Sequence, residues 1–179
     1  VAGGSLGGMQ ALEWAVTYPG QVGAIIPIAS THALQPQGVA WNAIARNAIT
    51  ADPDWQGGHY HGTGRAPNAG MGVARMLGHM TYLSAASVGT KFGRRLQDKS
   101  DFSFNFDADF QVESYLRYQG TKFVERFDAN SFLYITKAAD YFDLGKQHGD
   151  GSAVKACSKA QAKFLVISFT SDWLYPTYQ

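Results

Sequence analysis

Near the start of the chain, Gly3-Gly4-Ser5-Leu6-Gly7 has the spacing G-x-S-x-G. That spacing suits a serine nucleophile on a sharp strand-to-helix turn. The chemistry explains the residue types. Glycines two before and two after the serine keep Cβ atoms out of a crowded bend, and Gly8 extends the clearance where the helix begins. Ser5 Oγ would then stand exposed at the strand end. The backbone N–H of Leu6 could donate to an oxyanion, and the helix N-terminus adds a dipole that favours the negative charge. Five residues alone also fit an ordinary Gly-rich turn; the amphipathic segment that follows at once favours the elbow.

A serine nucleophile needs a base, and the base needs an orienting acid. In the chain order Ser, acid, His, the acid follows a later strand. Asp172 lies just after the apolar run Lys163 to Phe169, where open α/β sheets place working groups. A turn-capping aspartate in Ser171-Asp172 is the plainer alternative. All five histidines (His32, His59, His61, His79, His148) precede Asp172, so none can be the base in that order. The base is expected beyond Gln179. His59-x-His61 and Asp107-x-Asp109 have no third ligand at a diagnostic spacing and read as solvated loops, so no metal site is expected.

These residues need elements to hold them. Met9, Leu12, Ala15 and Val16 recur at the three-and-four spacing of one helix face, and Pro19-Gly20 ends that helix. Val22 to Ala29 reads as a strand buried on both faces, weakened by Pro27, and Lys163 to Phe169 as a second. Between them helical patterns run over Trp41–Ile49, Gly72–Ala86, Gln111–Phe127 and Ser131–Phe142. The expected organisation is an α/β core over 1–34, a helical lid insertion over 35–158, and a return to the core over 159–179.

Composition narrows the class. With 179 residues, 45% of them hydrophobic and 16% charged, the chain is not of the disordered kind. Fifteen basic against fourteen acidic residues give a net charge of +1, which leaves no electrostatic footprint for nucleic acid. No apolar run reaches the roughly 20 residues of a membrane span. The single Cys157 excludes an internal disulfide and fits a reducing, cytoplasmic setting.

Longer stretches carry a resemblance. They are Gly3 to Trp14, Trp41-Asn42 with Arg46, Asp52-Pro53 with Trp55, and Phe92-Gly93-Arg94. Val112 to Leu116, Arg126 to Ser131, and Ser171-Asp172-Trp173-Leu174-Tyr175-Pro176 complete them. In these the chain resembles the homoserine O-acetyltransferase family, α/β-hydrolase-fold acyltransferases of methionine biosynthesis, over nearly all its length. The resemblance implies an α/β-hydrolase fold with an incomplete parallel sheet and a helical lid, as the middle of a domain about twice as long. It implies Ser5 as nucleophile, Asp172 as triad acid, and Arg75 with Tyr82 as the pair that holds the homoserine carboxylate. A spacing of seven puts that pair on one helix face.

The same resemblance implies ping-pong transfer from acetyl-CoA, used as co-substrate with no bound cofactor, to L-homoserine. It also implies a homodimer through the lid helices. With the base and the second oxyanion donor outside the 179 residues, the chain alone is expected to be inactive. Relatives that use succinyl-CoA tend to carry an Arg two residues after the acid, where this chain has Leu174, so acetyl is the expected group. The alternatives are succinyl transfer, serine as acceptor, an esterase of the same fold, and a non-catalytic dimerising piece.

Overall fold

The structure, a computed structural model, describes all 179 residues. The chain divides into two compact units, residues 1–40 with 135–179, and residues 41–134. No helix is long and apolar enough to cross a membrane.

The first unit is a small parallel sheet with helices. β1 (Ala2–Gly4) leads through α1 (Leu6–Thr17) to β2 (Ala24–Ile28), and much later to β3 (Lys163–Phe164). The sheet order is β1-β2-β3, with Gly3 opposite Pro27 and Ile25 opposite Phe164. A parallel pair needs a crossover, and α1 supplies it. Its apolar face sets the packing: Ala11, Leu12, Ala15 and Val16 gather with Val22 and Ile25. Ala11 and Ala15 have no exposed surface, so the helix approaches the sheet closely. Burying a side chain the size of Ile25 contributes about 2–3 kcal/mol.

Two short helices complete this core, α7 (Leu144–His148) and α8 (Ala153–Cys157), each started by a side-chain cap. Asp143 accepts from the Lys146 N–H and Ser152 from the Lys155 N–H. Leu144 and Ala156 join the cluster around α1. Residues 135–158, drawn with the insertion from the sequence, therefore pack within the first unit.

The third strand is shorter and more exposed than its apolar run predicts. Only Lys163–Phe164 pairs as a strand, and a lone bridge joins Ile28 to Ile167. Pro27 gives the reason. Gly23, Ile25 and Pro27 accept ladder bonds from Lys163, Leu165 and Ile167, but Pro27 has no N–H to return one. Within the 179 residues β3 pairs only with β2, and Leu165 and Val166 are exposed rather than buried on both faces.

The second unit is helical. It holds most of α2 (Pro36–Thr50), then α3 (Asn68–Tyr82), α4 (Ala85–Lys91), α5 (Gln111–Val124) and the start of α6 (Ala129–Tyr141). Ala45, Ile49, Tyr60, Met71, Ala74, Phe123 and Ala129 form its core. α3 and α5 meet at glycines: a Cβ on Gly120 would lie 3.0 Å from the Gly72 carbonyl oxygen. The helix expected over Gly72–Ala86 breaks after Tyr82. Leu83 is extended, and Ser84 restarts the chain by accepting from the Ser87 N–H at 3.0 Å.

Candidate active site

Ser5 sits between β1 and α1 with φ 52° and ψ −121°. This backbone is sparsely populated by L-residues and costs on the order of 1–3 kcal/mol, so its surroundings must impose it. They do so through four bonds. The Ser5 N–H donates to the Ile28 carbonyl at 2.9 Å. The Ser5 carbonyl accepts from the Gly8 N–H at 2.9 Å and the Met9 N–H at 3.2 Å. The Ser30 hydroxyl, just past β2, donates to the same carbonyl at 2.8 Å.

The glycines around Ser5 have unequal duties. A Cβ on Gly3 would fall 2.3 Å from the Gly7 backbone, and one on Gly8 would fall 2.5 Å from Ser30 Cβ. A Cβ on Gly7 would meet nothing within 4 Å. The close approach is thus made at Gly3 and Gly8. Leu6 is the first residue of α1, so its N–H is a donor the helix does not use internally.

Ser5 is exposed, and its Oγ lies 2.9 Å from the buried Tyr175 hydroxyl. Tyr175 belongs to the turn built on Asp172. Asp172 Oδ1 accepts from the Leu174 N–H at 2.8 Å and the Tyr175 N–H at 2.9 Å. Asp172 therefore performs the turn-capping role, and its second oxygen stays available to another donor. Leu174 is half-buried and contributes its N–H to that turn. Sequence reasoning did not single out Tyr175 or Ser30 as partners of Ser5. Tyr175 stood in the quoted Ser171–Pro176 stretch; Ser30 acts on a backbone carbonyl and left no signal.

The histidines have other occupations. His148 Nε2 lies 2.7 Å from Glu13 Oε1 on α1. His32 gives its carbonyl to the Leu144 N–H. In the helical unit, His59 is exposed and His61 lies 3.3 Å from Asp128. No group of three His, Cys, Asp or Glu side chains is placed to hold a metal ion.

Within the helical unit Arg75 and Tyr82 share one face of α3. The Arg75 guanidinium carbon is 5.8 Å from the Tyr82 ring centre and 4.6 Å from that of Phe123. Its Nε is buried without a hydrogen-bond partner. Tyr82, the last residue of α3, is 61% exposed, and its hydroxyl end lies back along the helix beside Gly78. The pair thus presents a guanidinium and a phenol side by side, a combination suited to a carboxylate.

No family model matches the chain. Curated proteins do. It is 60% identical over 180 residues to a homoserine O-acetyltransferase of Solidesulfovibrio magneticus, a match covering 100% of this chain and 45% of that protein. It is 55% identical over 175 residues to one of Rhodospirillum rubrum, covering 98% of this chain and 44% of that protein. The chain spans less than half the length of these relatives. Among solved structures, homoserine O-acetyltransferase from Bacillus anthracis aligns with a TM-score of 0.87 at 29% identity, over 99% of this chain and 46% of that one. The L374D mutant of esterase E22 aligns with a TM-score of 0.84 at 26% identity, over 99% of this chain and 48% of that one. The small parallel sheet and its helices are part of an α/β-hydrolase fold.

Proposed function

We propose that this chain, a member of the homoserine O-acetyltransferase family along all of its length, supplies the nucleophile and acid of an acyl transfer from acetyl-CoA to L-homoserine. The observation that carries the reading is the link at the first unit's sheet end. Ser5 holds its strained elbow backbone, and its Oγ bonds the hydroxyl of a residue whose own N–H is fixed by Asp172.

In this reading Ser5 Oγ attacks the thioester carbonyl and its proton passes to a histidine outside the 179 residues. The resulting oxyanion rests on the Leu6 N–H and the dipole of α1. Collapse expels the coenzyme A thiol, which takes up that proton, and leaves Ser5 acetylated. The homoserine hydroxyl then attacks the ester, the same base accepting its proton and returning it to Ser5 Oγ. Asp172 holds the protonated base through its second carboxylate oxygen. Arg75 and Tyr82 take the homoserine carboxylate, and the helical unit serves as the lid that limits hydrolysis. The 179 residues alone are inactive in this reading. A homodimer through the helical unit belongs to it too, supported by an open apolar groove of about 460 Å³ between α3 and α5 that includes Val73 and Met76.

The test uses a full-length polypeptide carrying this chain. Incubation with acetyl-CoA alone should leave an acetyl group on the Ser5 peptide, read by mass spectrometry. Added homoserine should discharge it as O-acetylhomoserine, and Ser5→Ala should abolish both. Steady release of acetate without acceptor would instead favour an esterase, a reading supported by the likeness to esterase E22. Transfer that survives Ser5→Ala would overturn the nucleophile assignment.

A further inference from the structure

Between Arg75 and Tyr82, on the same face of α3, stands His79, and its surroundings are unusually specific. Its Nδ1 lies 3.1 Å from the Tyr115 hydroxyl on α5. Its ring meets Tyr115 edge-on at 5.6 Å and Tyr82 edge-on at 6.0 Å. Tyr115 is itself held, with the Phe92 ring at 4.9 Å and the Lys91 ammonium 4.4 Å from its ring centre. Tyr82 lies along the Gly78 backbone, where an added Cβ would be 3.6 Å from its hydroxyl. It is the terminal residue of α3, mostly exposed, and touched by the Arg75 guanidinium and the His79 ring.

We propose that His79 is a positioning residue: tethered to Tyr115 and set edge-on to Tyr82, it fixes the Tyr82 ring beside the Arg75 guanidinium so that the two together receive the acceptor's carboxylate. The inference rests on the reading of Arg75 and Tyr82 given above. A free phenol at a helix end samples several rotamers, and ordering it on binding would cost affinity; a ring already held removes that cost.

The charge state of His79 fits the role. Arg75 on α3 and Lys91 on α4 are the cations that face it, Tyr82 and Tyr115 are the neutral phenols, and its Nε2 is buried without a partner. Burial first, then Arg75 and Lys91, holds its protonation below the ordinary histidine range. A neutral imidazole can accept the Tyr115 O–H at Nδ1, whereas a protonated one cannot.

Calorimetric titration of homoserine into the full-length polypeptide carrying Ser5→Ala tests this without relying on turnover. Adding His79→Ala should weaken homoserine binding about tenfold, and His79→Asn, which keeps an acceptor toward Tyr115 but no ring beside Tyr82, should restore only part of it. In the Ser5 protein the same His79 variants should acetylate Ser5 from acetyl-CoA, without acceptor, at the parent rate. Unchanged affinity in His79→Ala overturns the proposal. So does a parallel loss of Ser5 acetylation, which would mark a general structural role. If the parent binds homoserine yet Ser5 is never acetylated, the nucleophile reading fails while the binding series still decides His79. If the parent binds no homoserine, the assignment of Arg75 and Tyr82 falls and His79 with it, while acetylation of Ser5 still decides the nucleophile reading.

Discussion

The Tyr175 hydroxyl lies 2.9 Å from Ser5 Oγ, while the Tyr175 N–H is bonded to Asp172 Oδ1 at 2.9 Å. One residue therefore joins the elbow at the end of β1 to the turn beyond β3. Its side chain is buried and the bond is part-buried, so it helps fix the turn against the sheet. Tyr175→Phe keeps the ring and removes the hydroxyl. The expected loss is about 1 kcal/mol in urea unfolding of a full-length polypeptide, the net worth of one neutral hydrogen bond. An unchanged unfolding midpoint would mean that the hydroxyl contributes nothing to holding the turn.

The glycines of the elbow can be ranked by what a methyl group would strike. Gly3→Ala and Gly8→Ala drive a Cβ to 2.3 Å from Gly7 and 2.5 Å from Ser30 Cβ. Neither neighbour can swing away, because one is backbone and the other is itself a Cβ. Each substitution should cost at least about 3 kcal/mol or prevent folding, as severe overpacking does. Gly7→Ala points into open space within α1 and should be neutral or add up to about 1 kcal/mol of helix stability. Thermal melting of the three variants checks the order, and a destabilised Gly7→Ala would contradict it.

How much of this was legible in the sequence depended on whether the cause was local. The Gly-rich turn and the spacing of Met9, Leu12, Ala15 and Val16 foretold β1, α1 and the exposed Ser5, because each follows from neighbouring residues. The break after Tyr82 was missed: apolar spacing continues through it, while the competing cap from Ser84 is one side-chain bond. β3 was drawn too long, since the donor missing from its ladder belongs to Pro27 on another strand. The bond from Tyr175 to Ser5 spans 170 positions and exists only once both turns are folded. Arg75 and Tyr82 were paired by the family resemblance, with a spacing that agrees with one helix face, but His79 between them became visible only when α5 brought Tyr115 to its ring.

If the proposed acyl transfer holds, Leu174 is the position at which to test the choice of acyl group. Its N–H is committed to the Asp172 turn, so a substitution changes the side chain and leaves that bond in place. Under the acyl transfer proposed above, an apolar side chain at Leu174 would leave a succinyl carboxylate without a partner and desolvated, a loss of about 1–3 kcal/mol or more for a charged group. Leu174→Arg in a full-length polypeptide should shift relative kcat/KM from acetyl-CoA toward succinyl-CoA. Competition assays with the two thioesters read the ratio directly. A ratio that does not move would remove Leu174 from acyl selection.

Asp109 anchors the loop that displays Phe104 and Phe106, both almost fully exposed. Its Oδ1 lies 2.6 Å from both the Lys99 ammonium and the Ser103 hydroxyl, and Oδ2 accepts the Ser103 N–H at 3.1 Å. These bonds, Lys99 foremost and Ser103 next, lower its carboxyl from 3.8 to about 2. Because the folded value lies below the unfolded one, the stabilisation is full above the unfolded value of 3.8 and is lost as pH falls through about 2. The loop should therefore stay closed at pH 4 and loosen only toward pH 2. Asp109→Asn should loosen it at neutral pH, exposing the Phe104 and Phe106 peptide bonds to faster chymotrypsin cleavage. NMR titration of the Asp109 carboxyl supplies the direct measurement, and a midpoint near 4 would show that the bonds to Lys99 and Ser103 do not hold the loop in solution.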